Sequence, residues 1–252
     1  MCRMLGVVSA SLRSFALLLD EAPRSIAALS EKHPDGWGIA VGQHGKGWTV
    51  HRSLMRAADD REFHYSSSHA QGDIIIAHVR QKTRGDITLE NTHPFESAPW
   101  VFTHNGTVNN LEYLEANTSP GWRAMVRGET DSERLFAFLM TRLDATFAST
   151  AAKRQARDQA LRDATRELDQ LSSFGTASFL LSDGDVLYAH RLGAPLFLLQ
   201  RHSNAEFNCA ECARSPCIAV TTEPITDETW IPLDDGDLIR IERKPEVAWT
   251  RL

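Results

Sequence analysis

The sequence has no apolar run long enough to cross a bilayer, so we expect no membrane-spanning segment and no membrane partner. Its first twenty residues, MCRMLGVVSASLRSFALLLD, are apolar enough to be tested as a secretory signal. Polar residues from Ser9 to Ser14 interrupt this stretch, and no small-residue cleavage site follows a continuous apolar core. We therefore predict no signal peptide and a cytoplasmic protein.

The sequence also lacks a basic stripe, an internal repeat, a low-complexity tract and a Gly/Ser linker. It has 27 Lys and Arg against 33 Asp and Glu, a formal net charge of −6. A nucleic-acid partner is therefore not expected. With 252 residues, 42% of them hydrophobic, the chain has enough apolar material for one large domain or two small ones.

Cysteine is scarce, and three of the four cysteines are close together in the sequence. Cys209, Cys212 and Cys217 follow His202, and these four side chains could supply the four ligands of a structural zinc ion. The alternative is a polar surface loop with reduced thiols. A disulfide is disfavoured in the expected compartment.

The pattern of apolar residues predicts strands, then a helical middle, then strands again. Predicted strands cover 3–9, 37–42, 47–52, 73–80, 99–106, a hairpin over 176–191, 194–200, 216–222 and 237–243. Predicted helices cover a stretch over 14–31 that is interrupted by Pro23 at a first helical position, a segment opened by a Thr130–Glu133 capping box, and 149–172. Few βαβ units are present, which favours an α+β fold with two antiparallel sheets face to face, each covered by helices.

Cys2 is the first candidate for chemistry. Removal of Met1 would place a thiol and a free α-amine on one residue. A terminal amine has a pKa of about 7.7–8.0 and can take the proton of a thiol whose ordinary pKa is about 8.5. This is the arrangement of an N-terminal nucleophile. The alternative is that the cysteine follows Met1 without any role.

Other candidates have equally ordinary alternatives when taken singly. Asn105 and Gly106 could donate to an oxyanion through an amide and a backbone N–H, or form an Asn-Gly turn. Arg80, at the end of an apolar strand, could bind a carboxylate or point to water. Asp131 could bind an ammonium group or stabilise a helix start.

The segment Asp35-Gly36-Trp37-Gly38 places two glycines around an aromatic residue before a strand. Gly36 and Trp37 could allow the backbone to approach a ligand closely, or they could form a tight turn with a core tryptophan. As a set, however, the candidates indicate one kind of ligand. A carboxylate site and an ammonium site describe the α-carbon of an amino acid, and a thiol with an oxyanion hole describes attack on a γ-glutamyl amide.

Four segments in order, Cys2, AHVRQKTRGDITLENTHPF (77–95), THNGTVNN (103–110) and GETDSE (128–133), resemble the class II glutamine amidotransferases. These are N-terminal nucleophile hydrolases with an αββα sandwich. The resemblance implies one such domain over residues 2–252, a γ-glutamyl thioester on Cys2, and an oxyanion held by Asn105 and Gly106. The second segment resembles the small stand-alone members of the family, which include γ-glutamyl hydrolases, more than it resembles the sugar-phosphate synthase branch.

The resemblance further implies that Arg80 binds the substrate α-carboxylate, that Asp131 binds its α-ammonium group and that Thr83 contacts the substrate. His93 and His104 fall on motif positions and are interpreted as scaffolding of the pocket. In the sugar-phosphate synthase branch a tryptophan commonly follows the arginine and a histidine follows the threonine. Here Gln81 and Arg84 stand at those positions, so the loop over the pocket is expected to differ.

The expected reaction is cleavage of glutamine or another γ-glutamyl compound without an organic cofactor, because thioester chemistry needs none. The chain has no residues left for a synthase after the expected domain, so either a separate synthase subunit receives the ammonia or water completes the reaction. A homodimer is compatible with this expectation. The alternative is a non-catalytic subunit that binds a γ-glutamyl ligand on the same fold.

Overall fold

The computed structural model describes residues 2–144, 150–201, 216–243 and 246–252. In this part of the chain the strands are β1 (Arg3–Ser14), β2 (Trp37–Gln43), β3 (Gly47–Ser53), β4 (Gln71–Val79), β5 (Phe95–Ser97), β6 (Trp100–Val108), β7 (Gly175–Ser182), β8 (Val186–His190), β9 (Phe197–Arg201), β10 (Cys217–Thr221), β11 (Ile231–Pro232), β12 (Leu238–Glu242) and β13 (Ala248–Arg251). The α-helices are α1 (Ile26–Leu29), α2 (Arg61–His69), α3 (Leu111–Ala116), α4 (Pro120–Met125), α5 (Asp131–Asp144) and α6 (Thr150–Asp169).

One sheet has seven strands in the order β11-β9-β10-β1-β4-β2-β3, and its pairs are antiparallel. Strand β4 lies at its interior between β1 and β2. Ile74 and Ile76 face the other sheet, whereas Ile75 and Val79 pack towards the helices. Both faces of β4 are therefore buried, which explains its continuous apolar sequence.

The second sheet has six strands in the order β13-β12-β8-β7-β6-β5, again with antiparallel pairs. Strand β6 continues two residues beyond the predicted end at residue 106. His104, Asn105 and Gly106 pair with Phe179, Ser178 and Ala177 of β7 and do not form a turn. The turn alternative for the Asn-Gly pair is therefore wrong, because the neighbouring strand holds these residues extended.

Three apolar clusters define four layers. The first lies between the two sheets and includes Met4 and Leu180. The second lies between the seven-stranded sheet and the helical segments α1 and α2, with Phe63 from α2. The third lies between the six-stranded sheet and helices α3, α5 and α6, with Phe138 from α5. The predicted αββα arrangement of two antiparallel sheets is confirmed.

Only one of the two hydrogen bonds of the predicted capping box forms before α5. The Thr130 hydroxyl accepts the Glu133 backbone N–H at 3.2 Å, as a capping box requires. The Glu133 carboxylate does not return this bond to Thr130 but accepts the N–H groups of Arg127 and Gly128 at 2.9 and 2.6 Å. The segment before the helix is thereby fixed to the first helical turn.

The helical stretch predicted over 14–31 is interrupted near Pro23 as expected, but it begins later and is less helical than predicted. The strand β1 continues to Ser14, a short π-helical segment covers Leu17–Glu21, and α1 begins after Ser25, whose hydroxyl accepts the Ala28 N–H at 3.2 Å. Pro23 lies in the turn between the two helical segments and not at a first helical position. Within the described residues, no helix combines the length and apolarity that a bilayer crossing requires.

Candidate active site

Three of the candidate residues, Cys2, Arg80 and Gly36, lie at one end of the seven-stranded sheet. In the seven-stranded sheet Val79 is paired with Arg3 on one side and with Trp37 on the other. Cys2, Arg80 and Gly36 are the next residues along these three strands and therefore lie at one end of the sheet. The second sheet joins them through Thr103 of β6, whose hydroxyl contacts the Met4 sulfur at 3.6 Å.

The Cys2 thiol lies against the backbone of Gln81. Its Sγ accepts the Gln81 N–H at 3.3 Å and lies 3.4 Å from the Gln81 carbonyl oxygen, to which the thiol can donate. Burial raises the pKa of this thiol, while the Gln81 N–H and the Arg80 charge oppose that rise and the Asp131 charge adds to it. In this resting arrangement the sulfur is therefore held as a thiol, and a base is needed to activate it.

Arg80 is buried and organises the loop that follows β4. Its guanidinium donates to the carbonyl oxygens of Asp86 at 3.0 Å, Arg84 at 3.1 Å and Gly85 at 3.4 Å. Burial lowers the pKa of this guanidinium, and the nearby Cys2, Asp35 and Asp86 oppose the shift. The arginine is thus a pre-positioned cation beside the thiol.

Gly36 fixes the backbone of Arg80 from the neighbouring strand. The Arg80 N–H donates to the Gly36 carbonyl at 2.8 Å, and the Asp35 N–H donates to the Arg80 carbonyl at 3.0 Å. Gly36 has a φ of +117°, and a Cβ there would lie 2.9 Å from the Ser53 carbonyl oxygen. The glycine is therefore required by both backbone conformation and close packing.

Trp37 is a core residue, which was the alternative for this segment. Its side chain has no exposed surface, packs edge-on against Phe63 and donates from Nε1 to Asp60 at 2.9 Å. A side chain with no exposed surface cannot touch a substrate in this conformation. The contribution of this segment to the site is its backbone.

Asp131 joins the site from the start of α5. Its side chain is buried, and Oδ2 accepts the backbone N–H of Val108 at the end of β6 at 2.7 Å. A carboxylate at the start of a helix is favoured by the helix dipole. Its charge acts on the Cys2 thiol, so the Asp131 carboxylate and this thiol share one electrostatic environment.

Asn105 and Gly106 lie on the part of β6 that precedes this contact. Asn105 is buried, and its Oδ1 has no hydrogen-bond partner among the described residues. A Cβ at Gly106 would overlap the Thr176 carbonyl oxygen of β7 and approach the His104 ring at 2.6 Å. The unsatisfied atom is the acceptor oxygen of the amide, so it is available to a hydrogen-bond donor of a ligand.

Thr83 differs from the buried Arg80, Asn105 and Asp131 in its exposure to solvent. It is exposed in the loop between β4 and β5. Its contact with a substrate stays a prediction.

Three buried histidines, His78, His93 and His104, lie close to one another near the candidate site. The rings of His78 and His93 lie 4.1 Å apart between centroids, and the two His93 ring nitrogens have no partner among the described residues. His104 contacts the Ser132 hydroxyl at 2.8 Å and the Thr176 carbonyl at 3.1 Å. Burial lowers the pKa of His78 to about 3, holds the pKa of His93 well below its usual range and lowers the pKa of His104. All three are therefore neutral near pH 7.

The sequence did not reveal two further residues at this site. His33 is buried, and its ring is hydrogen-bonded to the Gln81 side chain; burial and the Arg3 charge lower its pKa to about 4. Asn91 is buried between the loop that follows Arg80 and the segment before Asp131. Asn91 lies inside the matched 77–95 segment, whereas nothing in the sequence marked His33.

The predicted zinc ligands His202, Cys209 and Cys212 lie outside the described residues. Cys217 is described: it is a free, buried cysteine in β10 that packs with the apolar cluster beneath α1 and α2. The zinc site stays a prediction.

A cavity of about 350 Å³ lies near the site without including it. Its lining includes Glu90, Arg127 and Glu133, neighbours of Asn91, Gly128 and Asp131. Cys2, Arg80 and Asp131 are absent from that lining, so this cavity is separate from the candidate site.

The chain is similar to known proteins over nearly its whole length. The family described as "Glutamine amidotransferases class-II" matches residues 1–251. A Haemophilus influenzae protein named as a glutamine amidotransferase is 28% identical over 270 residues, which covers 98% of this chain and 86% of that protein.

Two solved structures share the fold. A glutamine aminotransferase class-II domain protein from Silicibacter pomeroyi superimposes with a TM-score of 0.67 at 18% identity, over 100% of this chain and 99% of that one. The glutamine phosphoribosylpyrophosphate amidotransferase of Bacillus subtilis superimposes with a TM-score of 0.64 at 16% identity, over 99% of this chain and 49% of that enzyme. With the family match extending from the first residue to residue 251, the chain belongs to the class II glutamine amidotransferases.

Proposed function

We propose that the protein hydrolyses the amide of glutamine or a related γ-glutamyl compound through a γ-glutamyl thioester on Cys2. The observation that carries the proposal is the position of the Cys2 thiol. It contacts the Gln81 backbone and is influenced by the opposite charges of Arg80 and Asp131. One thiol, one cation and one anion in a shared electrostatic environment match the reactive and α-carbon ends of a γ-glutamyl ligand.

Substrate binding is assigned to the two charges. The Arg80 guanidinium binds the α-carboxylate, and the Asp131 carboxylate binds the α-ammonium group. Both groups are held before the substrate arrives, Arg80 by the loop carbonyls and Asp131 by the Val108 N–H. Thr83 lies on the same loop and is proposed to contact the substrate when it binds. Pre-positioned charges lower the cost of ordering a small ligand.

Activation of the nucleophile requires loss of Met1. The α-amine of Cys2 then becomes the base, with an ordinary pKa near the working pH. The amine takes the thiol proton, and the Gln81 N–H, already 3.3 Å from Sγ, stabilises the resulting thiolate. A base of this kind is needed because burial raises the pKa of the thiol.

In the acylation step the Cys2 sulfur attacks the γ-carbonyl carbon and a tetrahedral oxyanion forms. The Asn105 side-chain amide and the Gly106 backbone N–H are proposed to donate to this oxygen. The C–N bond then breaks, the protonated amine of Cys2 gives its proton to the leaving nitrogen, and ammonia or an amine departs. In the second step water attacks the thioester, glutamate leaves, and the thiol is regenerated.

The destination of the ammonia decides between two forms of the proposal. This chain matches about half of the Bacillus subtilis enzyme. We propose that the 2–252 domain acts either as a simple amidohydrolase or with a separate synthase subunit that receives the ammonia. A homodimer of this domain fits either form.

The proposal is tested with purified protein, a screen of γ-glutamyl amides and an electrophilic glutamine analogue, 6-diazo-5-oxo-L-norleucine. We expect glutamate release by the natural sequence, none by Cys2→Ala or Cys2→Ser, and stoichiometric labelling of Cys2 by mass spectrometry. Intact mass should also show that Met1 is absent. Binding of glutamate without labelling would instead support the non-catalytic subunit, and retention of Met1 in an active protein would contradict the proposed base.

A further inference from the structure

We propose that Asn91 is a positioning residue that couples the two charges of the γ-glutamyl site, so that the carboxylate-binding and ammonium-binding groups keep one spacing. This inference rests on the proposed function. Asn91 itself is buried and does not need to touch the substrate.

The first half of the connection runs from Asn91 to Arg80. The Asn91 Nδ2 donates to the Asp86 carbonyl oxygen at 3.0 Å. The same oxygen accepts the Arg80 Nη1 at 3.0 Å. One backbone carbonyl is thus shared by the guanidinium and the Asn91 amide, so the position of that carbonyl sets the position of the arginine head group.

The second half runs from Asn91 towards Asp131. The Asn91 Oδ1 accepts the backbone N–H of Glu129 at 2.8 Å, two residues before the carboxylate. The preceding residues are fixed to α5 by the Glu133 carboxylate, which accepts the Arg127 and Gly128 N–H groups. The amide of Asn91 therefore bridges the loop that holds Arg80 and the segment that leads into Asp131.

Close packing leaves this amide little freedom to move. A Cβ at Gly85 would lie 2.9 Å from Asn91 Nδ2, and a Cβ at Gly128 would overlap Asn91 Oδ1. Glycines on both sides let the two backbone segments approach the amide closely enough for both bonds. A third contact supports the same bridge from outside, because the Asp86 N–H donates to the Glu129 carboxylate at 3.2 Å.

The chemistry of an asparagine is required because one bond is donated and the other accepted. An aspartate has nearly the same shape, keeps the acceptor for the Glu129 N–H and loses the donor to the Asp86 carbonyl. Two oxygens would then face each other. A residue that only fills space would tolerate Asn91→Asp, whereas the proposed coupling would not.

The test compares Asn91→Asp and Asn91→Ala with the natural sequence in glutaminase kinetics, glutamate binding by calorimetry and labelling of Cys2. We expect KM for glutamine and Kd for glutamate to rise by about tenfold or more, with kcat changed much less, because the lost interactions position binding groups. The labelling rate with 6-diazo-5-oxo-L-norleucine should fall in parallel. Labelling of Asn91→Ala by iodoacetamide, which needs no α-carbon contacts, should not fall, because this variant adds no charge near Cys2.

Gly128→Ala gives an independent test, because it displaces the Asn91 amide without changing it. Its matched control is Gly121→Ala, where a Cβ would meet no atom within 4 Å. We expect Gly128→Ala to reproduce the rise in KM and Gly121→Ala to leave it unchanged. Thermal unfolding of each variant identifies those that are folded, and Gly128→Ala decides the question if both Asn91 variants unfold.

The two proposals fail in different ways. If the natural sequence is not labelled by the glutamine analogue and releases no glutamate, the proposed function is wrong. If it is labelled and active while folded Asn91→Asp and Gly128→Ala keep the natural KM and glutamate affinity, the proposed function stands and the coupling role of Asn91 is wrong.

Discussion

The Cys2 sulfur and the Gln81 backbone form a two-point contact: Sγ accepts the Gln81 N–H at 3.3 Å and lies 3.4 Å from its carbonyl oxygen. The N–H favours the thiolate, whereas the carbonyl accepts a hydrogen bond only from the thiol. The contact can therefore hold the sulfur in place in either protonation state. The balance between the states is set by burial and by the two charges nearby.

The pH dependence of Cys2 alkylation should reveal the effects of the Arg80 and Asp131 charges on the pKa of the thiol. Burial and Asp131 raise the pKa of the thiol and Arg80 lowers it, so Asp131→Asn should move the midpoint of the alkylation profile to lower pH. Arg80→Gln should move it to higher pH, and Arg80→Lys, which keeps the charge, should stay close to the natural value. The measurement is the rate of iodoacetamide labelling between pH 6 and 10, and shifts of the opposite sign would contradict the arrangement.

Loss of the proposed oxyanion donor should slow the chemical step. Asn105→Ala is expected to lower kcat by about 10²–10³ and to leave KM nearly unchanged, because Arg80 and Asp131 are untouched. The matched control is Asn110→Ala, which removes a helix cap (Oδ1 accepts the Tyr113 N–H at 3.1 Å) and should cost stability of about 1 kcal/mol without lowering kcat. Equal kcat in both variants would remove Asn105 from the mechanism.

Trp37 should behave as a core residue. Trp37→Phe removes the Nε1 donor to the buried Asp60 carboxylate and should lower the free energy of unfolding by about 1–3 kcal/mol. KM for glutamine should not change, since the indole has no exposed surface. Trp48→Phe is the control: it removes a hydrogen bond to the Pro99 carbonyl at a more exposed position and should cost less. A raised KM in folded Trp37→Phe would restore a role in binding.

Stability should fall in acid because buried histidines are neutral in the folded state. Burial lowers the pKa of His190 to about 4, whereas an unfolded histidine has a pKa of about 6.5. Between these values the unfolded chain binds more protons, so stability present above pH 6.5 is lost as the pH falls. Each such group contributes about 1.4 kcal/mol per pH unit in that window.

His190→Asn tests this linkage away from the candidate site. The His190 Nδ1 contacts the Asp237 carbonyl at 3.0 Å, and an asparagine amide can donate to the same oxygen. Chemical unfolding at pH 7 and pH 5 should show a loss of stability that is smaller by about 2 kcal/mol in the variant. An unchanged difference would mean that His190 is not buried as a neutral group.

Many strands and helices could be predicted from the sequence because each has a local pattern of apolar or capping residues. The apolar run of β4 indicated a strand buried on both faces, and the Thr130 signal marked the start of α5. Strand β13 and the short strands β5 and β11 were not predicted. These strands are defined by their partners rather than by a strong pattern of their own.

The residues of the candidate site were likewise only partly predictable from the sequence. Cys2, Arg80 and Asp131 could be named because each residue type suits one piece of chemistry. The bridge made by Asn91 could not, since it depends on the backbone positions of Asp86 and Glu129, which the fold brings together over 43 residues of sequence. The contact between His33 and Gln81 likewise joins two loops that only the assembled sheet places side by side.

The placement of β1 has a consequence for the timing of maturation during protein synthesis. The strand that begins at Arg3 lies between β4 and β10, and Leu5 is paired with Thr221. A ribosome makes β10 long after β1, so one edge of the strand beside Cys2 stays unpaired until β10 has emerged. The Cys2 sulfur therefore gains its full surroundings only after β10 has been made.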